Sequence, residues 1–508
     1  MKLEKNVALL ILFLIWCSGN VESQVKNAMN YYVDCTAQFN GNGSLEKPWN
    51  TLSAVNSITF QPGDSILFKR GTKALGELWP KGSGSEKAQI HIDAYGTGPR
   101  PIIDALGAEN SAGIRLSNQE YWTIQHMEVI NNAETMGTRW GIYVFSNDGQ
   151  IKHKIHIKNN TVQNVYASCI RSPKDTIIPS FYRVGGIYVK VEEPGRMDDI
   201  LVEGNQLVDI LGIGICFWGE SEMSGEGMNW DNLSTHVIIR RNSVLRTGAD
   251  GIIVLGTDNE LIEFNYVDGA GQLGQIGKRP RKAGNNGTDY IAGVWPTRHR
   301  NGIVQYNEVC NTRRFIGDGQ SFDNDMYVMG TTLFQYNYSH DNEGGFFLDC
   351  CSPEETNTGN IIRYNISQND GKYDYLRLDK GKNQVYNNIF YTSDAIIIKH
   401  SSNNLFYNNI FWAKRAKWNK NSFDHNAYFG GLIAPVNDTN KITENPGLVN
   451  AGAGKKGFET LEGYKLLLNS PCESNGKIIQ DNGGQDFWGN PIPVSTAPGI
   501  GAYHGVDK

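Results

Sequence analysis

Short apolar runs that end in asparagine recur along the central part of the chain. The runs occupy residues 201–205, 237–242, 261–265, 303–307, 333–337, 361–365, 384–388 and 405–409. Their terminal asparagines are separated by 21 to 42 residues, and the shortest intervals cluster near 22 residues. Runs this short, rich in Val, Ile, Leu and aromatic residues, predict strands rather than helices. A repeat of about 22 residues with two or three strands predicts one coil of an all-β, right-handed parallel β-helix.

The asparagine that ends each run is predicted to lie at a corner of the coil. In stacked coils its side-chain amide can hydrogen-bond the amides above and below, which satisfies polar groups that the bend would otherwise bury. These asparagines are therefore assigned to the fold and not to chemistry. Leucine-rich and helical repeats need a leucine lattice or a 3.6-residue period, which the chain lacks, and propeller blades repeat at about 40–50 residues.

A second set of strands follows the corners. Its members occupy residues 214–218, 251–255, 321–325, 345–349, 375–378 and 395–399. The earlier members are apolar, whereas the last four carry charged residues, so the candidate chemistry falls on the last coils. Insertions at about residues 220–235, 271–290 and 351–358 are predicted to wall a groove beside these strands.

The predicted coils divide the chain into four segments. Residues 1–23 are predicted to be an export signal, because two lysines precede an apolar run that is too short to span a bilayer. Residues 24–110 are predicted to form an N-terminal cap and the first coils, and residues 111–430 the β-helix core. Residues 431–508 are predicted to be a C-terminal capping segment, since an uncapped solenoid exposes core and strand edges.

The predicted signal places the mature protein in a periplasm or in the extracellular space. Cys17 would allow a lipid anchor, but the bulky Ile15 and Trp16 stand where a lipoprotein signal needs small residues. No later stretch is long and apolar enough to predict a membrane span. A net charge of −6 gives no general attraction to nucleic acid, so no nucleic acid partner is expected. None of the eight cysteines has the spacing of a zinc site, and no metal site is predicted.

Motifs near both ends of the mature chain are similar to those of a known group of enzymes. They are residues 31–34 with the glycine-rich residues 41–52, residues 335–345, and the ending at residues 469–502. With these motifs the chain resembles the parallel β-helix carbohydrate-active enzymes of the pectin-lyase-like superfamily over nearly its whole mature length. The resemblance implies the fold and a polysaccharide or oligosaccharide substrate. It leaves the reaction open, because the fold hosts lyases, hydrolases and isomerases.

Alignment of the charged strands predicts a column of catalytic side chains. Asp325, Asp349, Arg377 and Lys399 follow one another at intervals of 24, 28 and 22 residues, about one coil each, and Asp323 shares the face of Asp325. Carboxylates in adjacent coils would lie about 5 Å apart. One should then keep its proton to a higher pH, which supplies an acid and a base or nucleophile for glycoside cleavage. The three aspartates are the predicted catalytic residues, with Asp349 the strongest candidate, although a one-residue register shift would turn a side chain inward.

Three further residues are predicted to contact substrate beside the acids. His340 and Glu343 lie on the turn before the strand that holds Asp349. Their structural alternative is a hydrogen-bonded corner. Trp295 lies one coil before the acids and could stack on a sugar ring, while aromatic packing in the core is its structural alternative.

Three cationic residues on later coils are also predicted to bind substrate. Arg377, Lys399 and His400 would flank the groove and contact a substrate carboxylate or several hydroxyl groups. The structural alternative is a solvated face on which these residues pair with Asp374 and Asp379.

Three functions are compatible with these residues. The favoured one is a secreted glycoside hydrolase that uses the paired aspartates and needs no cofactor. The alternative is a polysaccharide lyase, in which the three aspartates bind Ca²⁺ and Lys399 or Arg377 removes the proton next to a uronate carboxyl group. The third is a non-catalytic glycan-binding protein, which would leave the acidic column without a role.

Overall fold

Three stacks of parallel strands form the fold in this computed structural model. The structure describes residues 28–170, 183–219, 229–275, 288, 290–349, 359–371, 373–379, 382–399 and 402–505. The predicted signal segment, His400 and most of the three predicted insertions lie outside these residues. Within a coil the chain passes through face A, then face B, then face C, and each strand pairs in parallel with the strand of the next coil. The predicted parallel β-helix is confirmed.

Each face is defined by its strands. The strands of face A are Ser111–Ser117, Arg139–Ser146, Gly185–Val191, Ile213–Trp218, Ile252–Asp258, Val294–Arg300, Gln320–Asp323, Gly345–Asp349, Leu376–Leu378, Ala395–Lys399 and Arg415–Lys417. The strands of face B are Asn30–Val33, Ser65–Lys69, Ile90–Tyr95, Trp122–Gln125, Ile151–Lys158, Arg196–Glu203, Ser234–Arg240, Leu261–Glu263, Ile303–Gln305, Thr332–Gln335, Asn360–Arg363, Gln384–Tyr386, Ser402–Tyr407 and Lys420–Asp424. The strands of face C are Lys73–Leu75, Ile102–Asp104, Glu128–Asn131, Thr161–Val165, Gln206–Ile210, Ser243–Thr247, Tyr266–Asp268, Glu308–Cys310, Tyr338–His340, Ile366–Gln368, Ile389–Tyr391, Ile410–Trp412 and Ala427–Phe429. Faces A and B join into one 25-stranded sheet, and face C is a 13-stranded sheet.

One continuous apolar core fills the interior of the coils. Aliphatic residues occupy alternate strand positions, as do Ile155 and Ile157, which are fully buried while their polar neighbours are only partly buried. The buried set extends from Val33 in the first coil to Tyr428 in the last. Each coil therefore packs its apolar side chains against those of the coils above and below.

A column of glycines lets face A approach face C closely. Equivalent positions at the start of five consecutive face A strands are Gly141, Gly186, Gly214, Gly251 and Gly293. A Cβ atom at Gly251 would lie 2.5 Å from a methyl group of Val267, and the other four glycines face apolar side chains of face C at 2.2–2.7 Å. No larger residue fits there without movement of the backbone. In the next coil Ser321 takes this position, and the site begins there.

Asparagine amides form an unbroken ladder along the corner between faces B and C. Nδ2 of each asparagine donates to Oδ1 of the asparagine in the next coil at 2.9–3.1 Å. The members are Asn160, Asn205, Asn242, Asn265, Asn307, Asn337, Asn365, Asn388, Asn409 and Asn426. The predicted ladder is confirmed, and the structure extends it by one coil at each end.

A second ladder, which was not predicted, runs along the corner between faces A and B. Asn360, Asn383, Asn404 and Asn421 are buried and donate in series at 2.8–3.0 Å. Each stands five residues before a member of the first ladder, so its spacing was present in the sequence. The chemical reason is the same, since a buried corner leaves backbone groups that need partners.

The N-terminal residues place a short helix against the first coils. The helix Leu52–Asn56 begins at Thr51, whose side chain accepts a hydrogen bond from the backbone of Ala54. Its buried residues Leu52 and Val55 join the apolar core. In the described part of the chain, no helix reaches the length and apolar character needed to cross a membrane.

The C-terminal residues close the last coil and then return along the solenoid. Asp438 accepts from Nδ2 of Asn426 at 2.9 Å and so ends the asparagine ladder. Beyond it, the backbone N–H of Gly457 donates to Glu308 on face C at 3.0 Å. The segment predicted as a cap therefore lies against the side of the solenoid as well as its end.

The 3₁₀ helix Phe458–Tyr464 belongs to this returning segment. The hydroxyl group of Tyr464 donates to Gln368 on face C at 2.7 Å. Farther along, Asn387 donates to the carbonyl oxygen of Gly501 at 3.0 Å. The returning segment thus contacts several coils of face C and its corner.

Replacing Asn307 with Ala is expected to lower the free energy of unfolding by about 2–5 kcal/mol. The side chain accepts from Nδ2 and the backbone N–H of Asn265 and donates to Asn337, so its loss leaves several buried groups without partners. Urea unfolding followed by circular dichroism measures the change. Asn440→Ala, at an exposed position, is the matched control and should change the value by less than about 0.5 kcal/mol. Equal stability of the two variants would contradict the ladder's structural role.

Candidate active site

Side chains in register along face A are mostly aromatic or apolar in the earlier coils and mostly charged in the last coils. In coil order the column contains Arg115, Tyr143, Tyr188, Cys216, Ile253, Trp295, Asp323, Leu348, Arg377 and Lys399. The predicted stacking of Arg377 on Lys399 is confirmed. Asp323, rather than Asp325, is the acid that shares their register. Trp295 lies next to Asp323 in the preceding coil and is partly buried, and its predicted contact with sugar remains a prediction.

Asp323 and Asp325 form a pair at the end of one strand. The strand ends at Asp323, and Asp325 makes a single bridge to Thr297 in the preceding coil. Because the two acids are two residues apart, their side chains share one side of the chain. A hydrogen bond joins the two carboxyl groups. Asp323 and Asp325 therefore lie side by side, while their catalytic role stays a prediction.

A third carboxyl group, that of Asp318, joins the pair from the turn before the strand. Its backbone has φ +54°, and the next residue, Gly319, has φ +89°, so two left-handed residues reverse the chain. The carboxylate accepts from Nη1 of Arg377 at 3.2 Å. Asp318 was not predicted, because an aspartate between two glycines is typical of a turn.

Burial and mutual repulsion raise pKa values across the cluster. Burial raises the pKa of Asp325 to about 8, Asp318 adds to the shift, and Arg377 opposes it. The pKa of Asp323, which is 3% exposed, is raised well above its usual range by burial and by the charges of Asp325 and Asp318. Burial raises the pKa of Asp318 only to about 6, because Arg377 and Arg314 favour its charged form. Asp318 is therefore the first of the three to ionise, and at neutral pH it lies beside protonated acids.

Arg377 and Lys399 make the ion pairs that the structural alternative predicted. Nε of Arg377 lies 3.0 Å from Asp379, while its Nη1 contacts Asp318. Nζ of Lys399 donates to Asp374 at 3.0 Å. Arg377 therefore holds Asp318 in place and stabilises its negative charge. The side chain of Lys399 is 41% exposed, so its ammonium group can still reach a ligand at the edge of the site.

The residue between the two acids anchors them to the interior. Oδ1 of Asn324 accepts from Nε2 of His299 at 2.8 Å, and its Nδ2 donates to Asn360 at 2.5 Å. Nδ1 of His299 also contacts the carboxyl group of Glu260, and both side chains are fully buried. Because the Asn324 side chain is held inside, Asp323 and Asp325 are directed to the opposite side, toward the outside of face A.

Asp349 does not join the predicted column, and this prediction is wrong. Its register partner in the next coil is Leu378, and the same register places it opposite Asn324. Oδ2 accepts from Nδ2 of Asn383 at 2.7 Å and from Nδ2 of Asn360 at 3.3 Å, and the residue is 1% exposed. Asp349 is thus an acceptor for the second asparagine ladder. The observed register differs from the predicted one by one residue, and this difference turns the Asp349 side chain inward.

His340 and Glu343 are not in contact with the acids. His340 lies on face C, where its Nε2 is 3.3 Å from Glu308, so its predicted place beside the aspartates is wrong. Its strand ends before the turn that leads back to face A. Glu343 accepts from the backbone N–H of Arg314 at 2.8 Å, and the charge of Arg314 acts on Asp318. Glu343 therefore supports the edge of the site indirectly. His400, the remaining predicted contact, lies outside the described residues.

The calcium alternative required the three predicted aspartates to converge. Asp349 is directed into the ladder, whereas Asp323 and Asp325 are directed outward, so the three do not surround one point. Among the residues that the structure describes, no group of three or more His, Cys, Asp or Glu side chains is placed to hold a metal ion.

The fold and the acid cluster together define a class of protein, a parallel β-helix with a carboxylate site on one face. No protein-family model matches the chain. The chain is 27% identical to a lacto-N-biosidase of Bifidobacterium longum, over 93% of this chain and 36% of that protein. It therefore spans about a third of the length of this curated relative.

Solved structures of carbohydrate-active proteins share the fold. A GH136 lacto-N-biosidase from Eubacterium ramulus is similar with a TM-score of 0.57 and 23% identity, over 86% of this chain and 70% of that one. XylC in complex with xylose has a TM-score of 0.52 and 11% identity, over 94% and 99% of the two chains. These findings confirm the predicted resemblance to parallel β-helix carbohydrate-active enzymes. Of the two predicted enzyme classes, the sequence relative belongs to the glycoside hydrolases.

Asp349→Leu is expected to lower the free energy of unfolding by about 1–3 kcal/mol, because the amides of Asn360 and Asn383 lose an acceptor. Asp349→Asn keeps one oxygen at this position and should stay within about 1 kcal/mol of the unchanged protein. Urea unfolding measures both variants. Activity of the folded Asn variant should be unchanged, so its inactivation at native stability would return Asp349 to the catalytic residues.

Proposed function

We propose that the protein is a glycoside hydrolase that acts on oligosaccharides, with Asp318 and Asp325 as its principal catalytic residues. The observation that supports this most strongly is an arginine-bound carboxylate, Asp318, beside carboxyl groups that keep their protons near neutral pH. Glycoside cleavage needs such a pair, one protonated and one ionised. The sequence relative supports the same class.

The proposed reaction divides two roles between the acids. Asp325 donates its proton to the glycosidic oxygen as the bond breaks. Asp318 acts at the anomeric carbon, either directly or by taking a proton from an attacking water molecule. Asp323 hydrogen-bonds Asp325, which lowers the pKa of Asp325 and partly offsets the effect of burial and of Asp318. Arg377 keeps Asp318 ionised and oriented, so it acts as a positioning residue.

We propose lacto-N-biosides as the substrate class, after the name of the sequence relative. The partly buried Trp295 next to Asp323 would offer an apolar face to a sugar ring. The predicted signal at residues 1–23 supports export, which would bring the enzyme to extracellular glycans.

Asp318→Asn and Asp325→Asn are expected to separate the two roles. On an oligosaccharide that ends in lacto-N-biose, each should lower kcat by about 10²- to 10⁴-fold. On p-nitrophenyl lacto-N-bioside, Asp325→Asn should lose much less, because this leaving group departs without protonation, whereas Asp318→Asn should remain inactive. Asp209→Asn, at an exposed ion pair with Arg246, is the control and should retain full activity. Full activity of Asp318→Asn on both substrates would overturn the proposal.

The kcat/KM for the oligosaccharide, which reports the pKa values of the free enzyme, is expected to follow a bell-shaped pH profile. It should fall as the pH drops through about 6, because Asp318 becomes protonated, and fall as the pH rises through about 8, because Asp325 loses its proton. Asp325→Asn assayed on the p-nitrophenyl substrate should lose the alkaline limb and keep the acidic one. A profile with no acidic limb would contradict the role of Asp318.

A panel of glycans separates hydrolysis from the lyase alternative. Lacto-N-biosides, xylan, pectin and alginate would be incubated with and without EDTA, with reducing ends and absorbance near 235 nm recorded together. New reducing ends without an absorbance gain, unaffected by EDTA, are expected. An absorbance gain that EDTA abolishes would mean β-elimination and would overturn the hydrolase proposal.

A further inference from the structure

Three buried oxygen atoms beside the acid cluster have no hydrogen-bond partner in the described part of the chain. They are Oδ2 of Asp250, Oε1 of Gln320 and Oδ1 of Asp323. None of the three residues is more than 3% exposed. A buried acceptor without a partner costs about 1–3 kcal/mol, so such atoms are rare and call for a physical explanation.

The register places two of these oxygens on either side of one small residue. Asp250 and Gln320 occupy equivalent positions two coils apart, and Ala292 holds that position in the coil between them. At about 4.8 Å per coil, their backbones lie about 10 Å apart. Ala292 has only a methyl group, so no long side chain of this column fills the space between them. The charge of Asp318 raises the pKa of both Asp250 and Asp323, so these two carboxyl groups lie near Asp318.

The other polar atom of each side chain is already bound, and this fixes the orientation of the open oxygen. Oδ1 of Asp250 accepts from the backbone N–H of Ala292 at 2.8 Å. Nε2 of Gln320 donates to the carbonyl oxygen of Asp374 at 3.4 Å, so the amide oxygen is directed away from that carbonyl. Gln320 begins its strand and Asp250 lies two residues before the strand Ile252–Asp258, so the stacked strands limit how far the backbone can collapse around an unpaired atom. The site is therefore preorganised for hydrogen-bond donors.

The chemistry of the three oxygens favours hydroxyl groups over a cation. Burial raises the pKa of Asp250 to about 8, and Asp318 adds to the shift, so this carboxyl group is neutral at pH 7. A neutral carboxyl group and an amide bind cations poorly, whereas a sugar hydroxyl can both donate to and accept from them. The location beside Asp318 places such hydroxyls on the sugar whose anomeric carbon reacts.

We propose that Asp250, Gln320 and Asp323 form a hydroxyl-binding subsite for the sugar unit that meets Asp318. This inference rests on the proposed glycosidase function and names residues that determine its specificity. A site built to hydrogen-bond a hydroxyl group rejects an analogue that lacks it, because the buried acceptors then remain unpaired.

The test measures lacto-N-biose binding by titration calorimetry on an Asp318→Asn background, in which no turnover occurs. Adding Gln320→Leu or Asp250→Asn should each weaken binding by about tenfold, because each removes one acceptor oxygen. Gln163→Leu, on face C, is the control for the first change and Asp209→Asn for the second; both should bind like the parent.

The melting temperature of the sugar-free protein gives a second, independent readout. Gln320→Leu should change it little, because the amide oxygen has no partner to lose and the amide nitrogen loses only one long hydrogen bond to Asp374, while the stabilisation by added lacto-N-biose should shrink. Parent-like affinity of both subsite variants, or no binding by the parent, would overturn the subsite. Activity that survives Asp318→Asn would instead overturn the proposed function, so the two failures are distinguishable.

Discussion

The hydrogen-bonded register between coils is the constraint on which the rest of the structure depends. The ladder from Asn160 to Asn426 joins each coil to the next through a buried amide pair, and the same oxygens accept backbone N–H groups at the corner. Any slip by one residue would break these bonds and turn every strand's apolar side chains outward. The register at the corner therefore determines which side chains of face A stack on one another, although these side chains lie ten or more residues farther along the chain.

The acid cluster is a direct product of that register. Asp323 takes the same position as Trp295 one coil earlier and Arg377 two coils later, and Asn324, held inside by His299, directs both flanking acids outward. A carboxyl group on a rigid, largely buried strand cannot move to water when it ionises. Its proton affinity is then set by its neighbours, which is why Asp318, stabilised by both Arg377 and Arg314, ionises before Asp325.

The fold was predictable because the asparagine spacing is a local signal that repeats many times. The site was predictable only in part. Asp323, Asp325 and Arg377 were found because charged residues interrupt apolar strands. Asp349 was misplaced because the number of residues between coils does not reveal where each strand ends. Whether a side chain points inward or outward depends on which neighbours pack in the core, not on that number. Asp318 was missed because its function depends on a turn that places its carboxyl group beside Arg377. The flanking glycines indicate a turn but do not predict this contact.

The segment that returns along face C changes how the solenoid can come apart. In a simple solenoid each repeat touches only its neighbours, so terminal coils can fray one at a time. Here the backbone N–H of Gly457 is hydrogen-bonded to Glu308. The backbone N–H of Lys477 is hydrogen-bonded to Asn408, which lies about a hundred residues farther along the solenoid. The returning segment therefore holds the last coils together and must detach before any of them opens. Local fraying of these coils becomes a cooperative event. The returning segment can also make its contacts only after the coils beneath it have formed, so these long-range contacts complete folding from the C-terminal side.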